Sequence, residues 1–314
     1  MAISLRQLSY FTALAEAGSF ARAAERVHVT QPALSQQIRE LEASLGVELV
    51  ERLPRGIRLT RAGHEVHARA LQILSQVNDL QGAVRFHHGL GGRLYLGLIP
   101  TVAPYLLPGV LTGIRTRDVT LELRVHEAQT ATVLRDLSEG RIDAAVIALP
   151  VPEPGFTAEP LFEDRFLLAG SAESLRPFEA EPALTPTHVP PDRLLLLDEG
   201  HCLADQALEV CGLKHRRKTD LGASSLGTLS GLVAQGFGLT FLPEIAAGSE
   251  TAGGQLALAR FSPPEPSRTI ALVRRASSAG GAWFDDLAAI LRTAGEALTA
   301  TARSAVPARA GSSR

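Results

Sequence analysis

Cys202 and Cys211 are the only thiols in a chain of 314 residues, and they bracket the stretch CLADQALEVC nine positions apart, with His201 before the first and Gly212 after the second. A thiolate is a nucleophile, a redox group and a metal ligand, so this pair is the first place to look for chemistry. The residues between them argue for a helix. Leu203, Ala204, Ala207, Leu208 and Glu209 favour helix, Leu203, Ala207 and Val210 make an apolar stripe, and Gly212 is a natural stop. Along such a helix the nine-residue step spans about 13.5 Å of rise and about 900° of turn, which sets the two side chains on opposite faces. A disulfide needs Cα atoms roughly 4.4 to 6.8 Å apart. Helix and bridge therefore exclude one another, and joining these thiols would melt a helix that the sequence otherwise specifies, which is the two-state element a switch requires. The plain alternative is a pair of inert buried thiols.

The compartment bears on that choice. The N-terminal MAISLRQLSYF lacks the basic segment, apolar core and small-residue cleavage site of a secretory signal, and no apolar run approaches the ~18 residues of a membrane span. The chain reads as cytoplasmic, with no membrane partner, where thiols stay reduced and disulfides are transient, catalytic or sensing. With 45% apolar and 20% charged residues and a net charge of -2, it has no overall basic bias, so any polyanion site must be local. Its only lysines, Lys214 and Lys218, fall in LKHRRKTD and read as a solvated loop. The sequence implies neither a metal nor an organic cofactor.

A local polyanion site is legible at the N-terminus. Leu5, Leu8, Phe11 and Ala15 keep helical spacing, GSFARAAERV opens a second helix with Ser19 as N-cap, and a tight connection from His28 to Thr30 leads into QPALSQQIRELEASLGV. Two helices joined by so short a turn form the helix-turn-helix signature. VELVERLPRGIRLT then predicts a two-stranded wing. On a helical wheel Leu34, Ile38, Leu41 and Leu45 form the core stripe, while Pro32, Ser35 and Arg39 project away from it, flanked by Gln31 and Gln36. Glutamine can pair with adenine, arginine with guanine and serine with base or phosphate. Arg52, Arg55 and Arg58 on the wing could reach the backbone or the minor groove. With Ser19 and Thr30 at the helix starts, these are the candidate contacts to double-stranded DNA. Arg39 could instead pair with Glu40 or Glu42 on a solvated helix.

A long helix is expected from Thr60 to about His88, in which Val66, Ala70, Ile73, Val77, Leu80 and Val84 make an a/d heptad seam that wants a partner helix in a homodimer. Packing of this helix on its own domain is the alternative. HHGLGG reads as a hinge. From Arg93 the pattern becomes strand and helix in alternation (RLYLGLI, LLPGVLTGIR, VTLELRVHEA, ATVLRDLSEG, IDAAVIAL), which argues for an α/β architecture with a parallel sheet. The expected domains are a winged helix-turn-helix at 1–60, a dimerising linker helix at 61–89, and an effector domain at 93–300. Its subdomain I would hold 93–165 plus 269–300 and subdomain II 166–268, with a disordered tail at 301–314. Thr101 and Thr130 fall at the carboxyl ends of predicted parallel strands, where α/β folds place ligands, and Thr130 could equally cap its helix.

FARAAERVHVTQPALSQQIRELEASLGVELVER resembles the winged helix-turn-helix of LysR-type transcriptional regulators, with its alanine pair, its Thr-Gln-Pro-x-Leu-Ser run and the Glu-x-x-Leu-Gly that follows. Through LGLIPTVAPYLLP, HEAQT, DEGHCLADQA and SLGTL the resemblance extends over nearly the whole chain and narrows to the peroxide-sensing members of that family. It implies a homodimer or homotetramer joined through the linker helix, and an effector domain of two Rossmann-like, periplasmic-binding-protein-like halves. Its implied partners are promoter DNA, hydrogen peroxide and RNA polymerase, and its implied role is regulatory and not enzymatic. It further implies that Cys202 is oxidised to a sulfenic acid and that Cys211 resolves it to a disulfide, with Thr101, Thr130, His201 and Arg268 about the peroxide. The positive end of the helix dipole favours a thiolate at Cys202, whereas Cys211 sits at the negative end. Two positions depart from the pattern: Ala204 stands where an arginine is expected, and Gly222 where members tend to be basic. A small organic effector in the cleft, with inert cysteines, is the competing reading. A thiol peroxidase is a third, opposed by the DNA-binding module and by a helix that would unfold in every turnover.

Overall fold

A capping box opens the first helix, α1 (Leu5–Ala17): Gln7 N–H donates to the Ser4 hydroxyl, and Ser4 N–H donates to the Gln7 side chain. This computed structural model describes residues 3–86, 89–117, 121–198, 200, 202–210, 223–278 and 280–307. The chain divides into two units, Met1–Val84 with Ser138–Arg141, and Arg85–Leu137 with Ile142–Arg314.

In the first unit α1 is followed by α2 (Phe20–Arg26) and α3 (Gln31–Leu45). Ser19 occupies the N-cap of α2 without a side-chain cap bond, whereas the Thr30 hydroxyl accepts from Ala33 N–H at the head of α3. Phe11, Leu14, Ala23, Leu34, Ile38 and Leu41 interlock the three helices in a buried core. Strands β1 (Val50–Leu53) and β2 (Gly56–Leu59) pair antiparallel as the expected wing. The linker helix α4 (Arg61–Arg85) splits its apolar seam. Ala70 is buried and Val66 packs against the unit's core, so this end satisfies its own domain, while Leu80 and Val84 stand 67% and 74% exposed.

In the second unit β3 (Arg93–Leu98), α5 (Ala103–Arg117), β4 (Glu122–Glu127), α6 (Thr130–Ser138) and β5 (Ala144–Ala148) follow the expected alternation, and β3 is parallel to both β4 and β5. Then come the long strand β6 (Phe156–Gly170), α7 (Ala172–Glu179), α8 (Cys202–Val210), α9 (Leu226–Ala234), β7 (Thr240–Pro243), α10 (Glu244–Glu250), β8 (Ala257–Arg260), β9 (Ser267–Arg275) and α11 (Ala282–Ala305). The sheet order is β4-β3-β5-β9-β6-β7, with β8 also on β6. Every pairing of β6 with β7, β8 and β9, and of β5 with β9, is antiparallel, so the parallel character belongs to β3, β4 and β5. β6 and β9 cross from one α/β lobe to the other, with a shift of register between Pro160 and Phe162. The stretch DRLLLLD joins the second lobe through single parallel bridges, Leu194 to Leu239 and Leu197 to Ala223, and through its buried leucines.

The tail expectation needs correction. Residues 301–305 are not disordered but complete α11, because Ala302 is buried, Arg303 pairs with Glu244, and Arg260 Nε donates to Val306 O at 2.6 Å. Residues 308–314 lie outside the described residues.

Candidate functional site

Three connections leave the carboxyl edge of the neighbouring parallel strands β4, β3 and β5: the first leads to Thr130 at the head of α6, and the other two carry Thr101 and Leu149. Thr101 is buried, and both its oxygens accept from Arg268: Nη1 donates to Oγ1 at 2.9 Å and Nη2 to the carbonyl at 3.2 Å. Arg268 lies on β9 directly opposite Asp164 on β6. Its Nε and Nη2 both reach Asp164 Oδ2 at 2.9 Å, while Ile245 N–H at the start of α10 donates to Oδ1 at 3.2 Å. Both ionic side chains are 0% exposed. Burial pushes the Asp164 carboxyl above its ordinary range, and the Arg268 guanidinium and Ile245 N–H pull it back.

Thr130 is the first residue of α6, and its Oγ1 is buried with no hydrogen-bond partner among the described residues. The hydroxyl therefore makes no cap bond there and remains available to a small polar ligand.

Helix α8 is held over the same edge. Gly200 adopts φ +93°, and a Cβ there would lie 2.6 Å from Gln129 Oε1, so the approach to Cys202 runs tightly against the residue preceding Thr130. One turn into the helix, Gln206 Nε2 donates to Leu149 O at 3.4 Å, and its Oε1 is buried without a partner among the described residues. Cys202 is a free, half-buried thiol at the first position of α8, packed against the main core. Ala204 is buried in that core beside Leu203, so a methyl group faces the interior where an arginine was expected. His201, Cys211, Gly222 and the Lys214 to Lys218 cluster lie outside the described residues.

The structure thus gathers Thr101 with Arg268, and brings Thr130 and the α8 segment to the same strand ends. Sequence reading missed Asp164, Gln129 and Gln206. Asp164 sits in FEDRF among other charges, and only its register opposite Arg268 distinguishes it. Among the described residues no three His, Cys, Asp or Glu side chains gather as a metal would require, and no helix is long and apolar enough to cross a membrane.

A second, exposed cluster lies on the first unit. Ser35 Oγ accepts from Arg39 Nη1 at 3.3 Å and from Arg52 Nη2 at 2.9 Å, and Arg39 Nη2 donates to Gln36 Oε1 at 2.8 Å. Arg52 also lies over the Phe20 ring, 4.7 Å from its centroid. Helix face and wing therefore present Ser35, Gln36, Arg39 and Arg52 together. Arg39 bonds neither Glu40 nor Glu42; Glu42 instead accepts from Leu49 and Val50 N–H at the wing's root. Gln31, Pro32 and Arg55 are exposed outside the cluster, Thr30 caps α3, and Ser19 is half-buried at the head of α2. Arg58 is paired to Glu51 at 2.6 Å.

Comparison with known proteins identifies the family of both parts of the chain. Residues 5–64 match the bacterial regulatory helix-turn-helix protein, lysR family, and residues 87–296 match the LysR substrate binding domain. A probable hydrogen peroxide-inducible genes activator of Streptomyces viridosporus is 43% identical over 300 residues, covering 93% of this chain and 94% of that one. The DNA-binding transcriptional dual regulator OxyR of Escherichia coli K12 is 38% identical over 292 residues, covering 92% and 95%. Among solved structures, an H2O2-bound cysteine-to-serine mutant of Corynebacterium glutamicum OxyR aligns with a TM-score of 0.67 at 33% identity, covering 100% of this chain and 99% of that one. A full-length cysteine-to-aspartate mutant of Pseudomonas aeruginosa OxyR aligns with a TM-score of 0.72 at 34% identity, covering 93% and 98%.

Proposed function

The chain belongs to the LysR family of bacterial transcriptional regulators and groups with its OxyR-type, peroxide-inducible activators, and from that premise we propose that it senses hydrogen peroxide through Cys202 and reads promoter DNA through α3 and the wing. The observation that carries this reading is the placement of α8. The helix begins at a free cysteine and is braced, through Gly200 against Gln129 and through Gln206 on Leu149, over the strand ends that present Thr101 and the unpartnered Thr130 hydroxyl.

In the proposed reaction the Cys202 thiolate attacks one peroxide oxygen; an S–O bond forms, the O–O bond breaks, and the electron pair leaves with the distal oxygen as hydroxide, which solvent protonates to water. Sulfur is oxidised to a sulfenic acid and peroxide is reduced. The Cys211 thiol then attacks that sulfur, forming the disulfide and releasing a second water. Thr101 and Thr130 orient the peroxide, with Arg268 and His201 completing its surroundings. Because a nine-residue helical step cannot meet disulfide geometry, α8 unwinds, and the reaction becomes a change of fold in the effector domain. The event is stoichiometric, as suits a cytoplasmic regulator and not an enzyme.

The exposed Leu80 and Val84 on α4 supply a surface for a second copy, in a homodimer or homotetramer whose geometry the redox state resets on DNA for contact with RNA polymerase. The bounds 1–60, 61–89 and 93–300 are proposed as its reader, linker and sensor. Peroxide titration with DNA footprinting and thiol counting tests the reading. Loss of two thiols with a shifted footprint is expected; free thiols and an unchanged footprint would overturn it.

A further inference from the structure

Arg268 has donors and no acceptor. Its Nη1 donates to Thr101 Oγ1, so on that side the Thr101 oxygen can only accept, and its single proton must point elsewhere. Among the described residues no acceptor takes that proton. The guanidinium is held in this attitude by Asp164, whose Oδ2 accepts from Nε and pairs ionically with Nη2, and which is itself fixed by Ile245 N–H. Nothing in the cluster is free to turn over: a planar fork set by a carboxylate dictates which way a buried hydroxyl faces.

We infer that Asp164 is a positioning residue for the peroxide reaction, acting through Arg268 to lock Thr101 as a hydrogen-bond donor toward the departing oxygen. The inference rests on the peroxide reading and deepens it. Thr101 and Thr130 are then unlike partners. Thr101 has a fixed polarity and donates to the oxygen that becomes hydroxide as the O–O bond breaks. Thr130, whose Oγ1 has no partner among the described residues, can accept the peroxide proton and adapts to whatever orientation Thr101 imposes. A donor aligned before the reaction stabilises charge as it develops, without reorganisation. The same polarity selects for oxidants whose leaving atom is a small oxygen that can accept a hydrogen bond.

The test uses the full-length reduced chain and compares two reagents at Cys202: hydrogen peroxide, whose leaving oxygen needs a donor, and iodoacetamide, whose iodide does not. Asp164→Asn keeps the side-chain shape but removes the charge that sets the fork. The expected result is a peroxide rate constant lower by at least about ten-fold, toward the 10²–10³ typical of losing one such donor, with alkylation unchanged within about two-fold. Thr101→Val, which leaves the Arg268–Asp164 pair intact and removes only the hydroxyl, must show the same split, and the absence of that split overturns the proposal even where the Asn variant does not fold. A fast wild type with unaltered peroxide rates in the folded variants, or equal losses with both reagents, overturns the role of Asp164. A wild-type Cys202 no faster with peroxide than a free thiol removes the peroxide reading itself, and this inference with it.

Discussion

Two clusters in this chain use arginine in opposite ways. On α3 and the wing, Arg39 and Arg52 share the Ser35 hydroxyl in exposed surroundings, and each of those bonds can be exchanged for one to a base or a phosphate at little cost. In the effector domain, Arg268 is sealed from solvent and spends its donors on Asp164 and Thr101. The first arrangement keeps its donors available for a large partner arriving from outside. The second gives up that freedom to fix a small geometry before a ligand arrives, because a buried pair with one member removed leaves an uncompensated charge. Recognition of a polyanion tolerates adjustable side chains, whereas directed chemistry on a small oxidant requires immobile ones.

The largest break in this contrast comes from Arg268→Ala. It strands Asp164 without its counter-charge and is expected to cost about 3–5 kcal/mol of effector-domain stability, read by urea unfolding. Arg39→Ala should do the opposite: stability within about 0.5 kcal/mol of the parent, but specific DNA affinity weaker by about 1–3 kcal/mol with relaxed discrimination at one base pair, read by binding to a systematically varied operator. Arg55→Ala sharpens the reader side further. As a proposed phosphate contact, its loss should weaken binding nearly equally at all sequences and lower the slope of log affinity against log salt by about one.

The smallest effect concerns His67 on α4. Burial pushes its imidazole below the ordinary value, opposed by Glu16 and reinforced by His64 and Arg141. A lowered pKa in a base means that the folded chain prefers it neutral. Its contribution is therefore complete above the unfolded value of about 6.5 and is lost as pH falls below it. His67→Gln should flatten the acid-side decline of the first unit's stability, read from urea midpoints between about pH 7 and 5.

What could be read from the sequence depended on how local the determinant was. The helix-turn-helix, the wing and the cysteine helix are written in contiguous periodicity, caps and turn residues, and they occur where expected. Strand ends carrying Thr101 and Thr130 were likewise legible from the alternation. Asp164 was not, since its meaning comes from a cross-strand register with Arg268 more than a hundred positions away, at a sequence separation of 104. The heptad seam shows a subtler failure: the repeat cannot say which of its members face home, and Ala70 is buried in the first unit's core while Leu80 and Val84 face out. The last turns of α11 were missed because small residues such as Ala302 look dispensable until Arg260 and Glu244 fasten the segment. At Ala204 the departure from the expected arginine acquires a physical sense, since the position faces the core.

In the proposed switch a thiol reaction at Cys202 becomes a change of fold in α8. Hydrogen–deuterium exchange of residues 202–210, followed before and after peroxide with the cysteine linkage read by mass in the same sample, addresses it directly. Protected amides are expected in the reduced chain, with loss of that protection in step with a Cys202–Cys211 disulfide. A disulfide formed with the helix still protected, or thiols still free after peroxide, would contradict it.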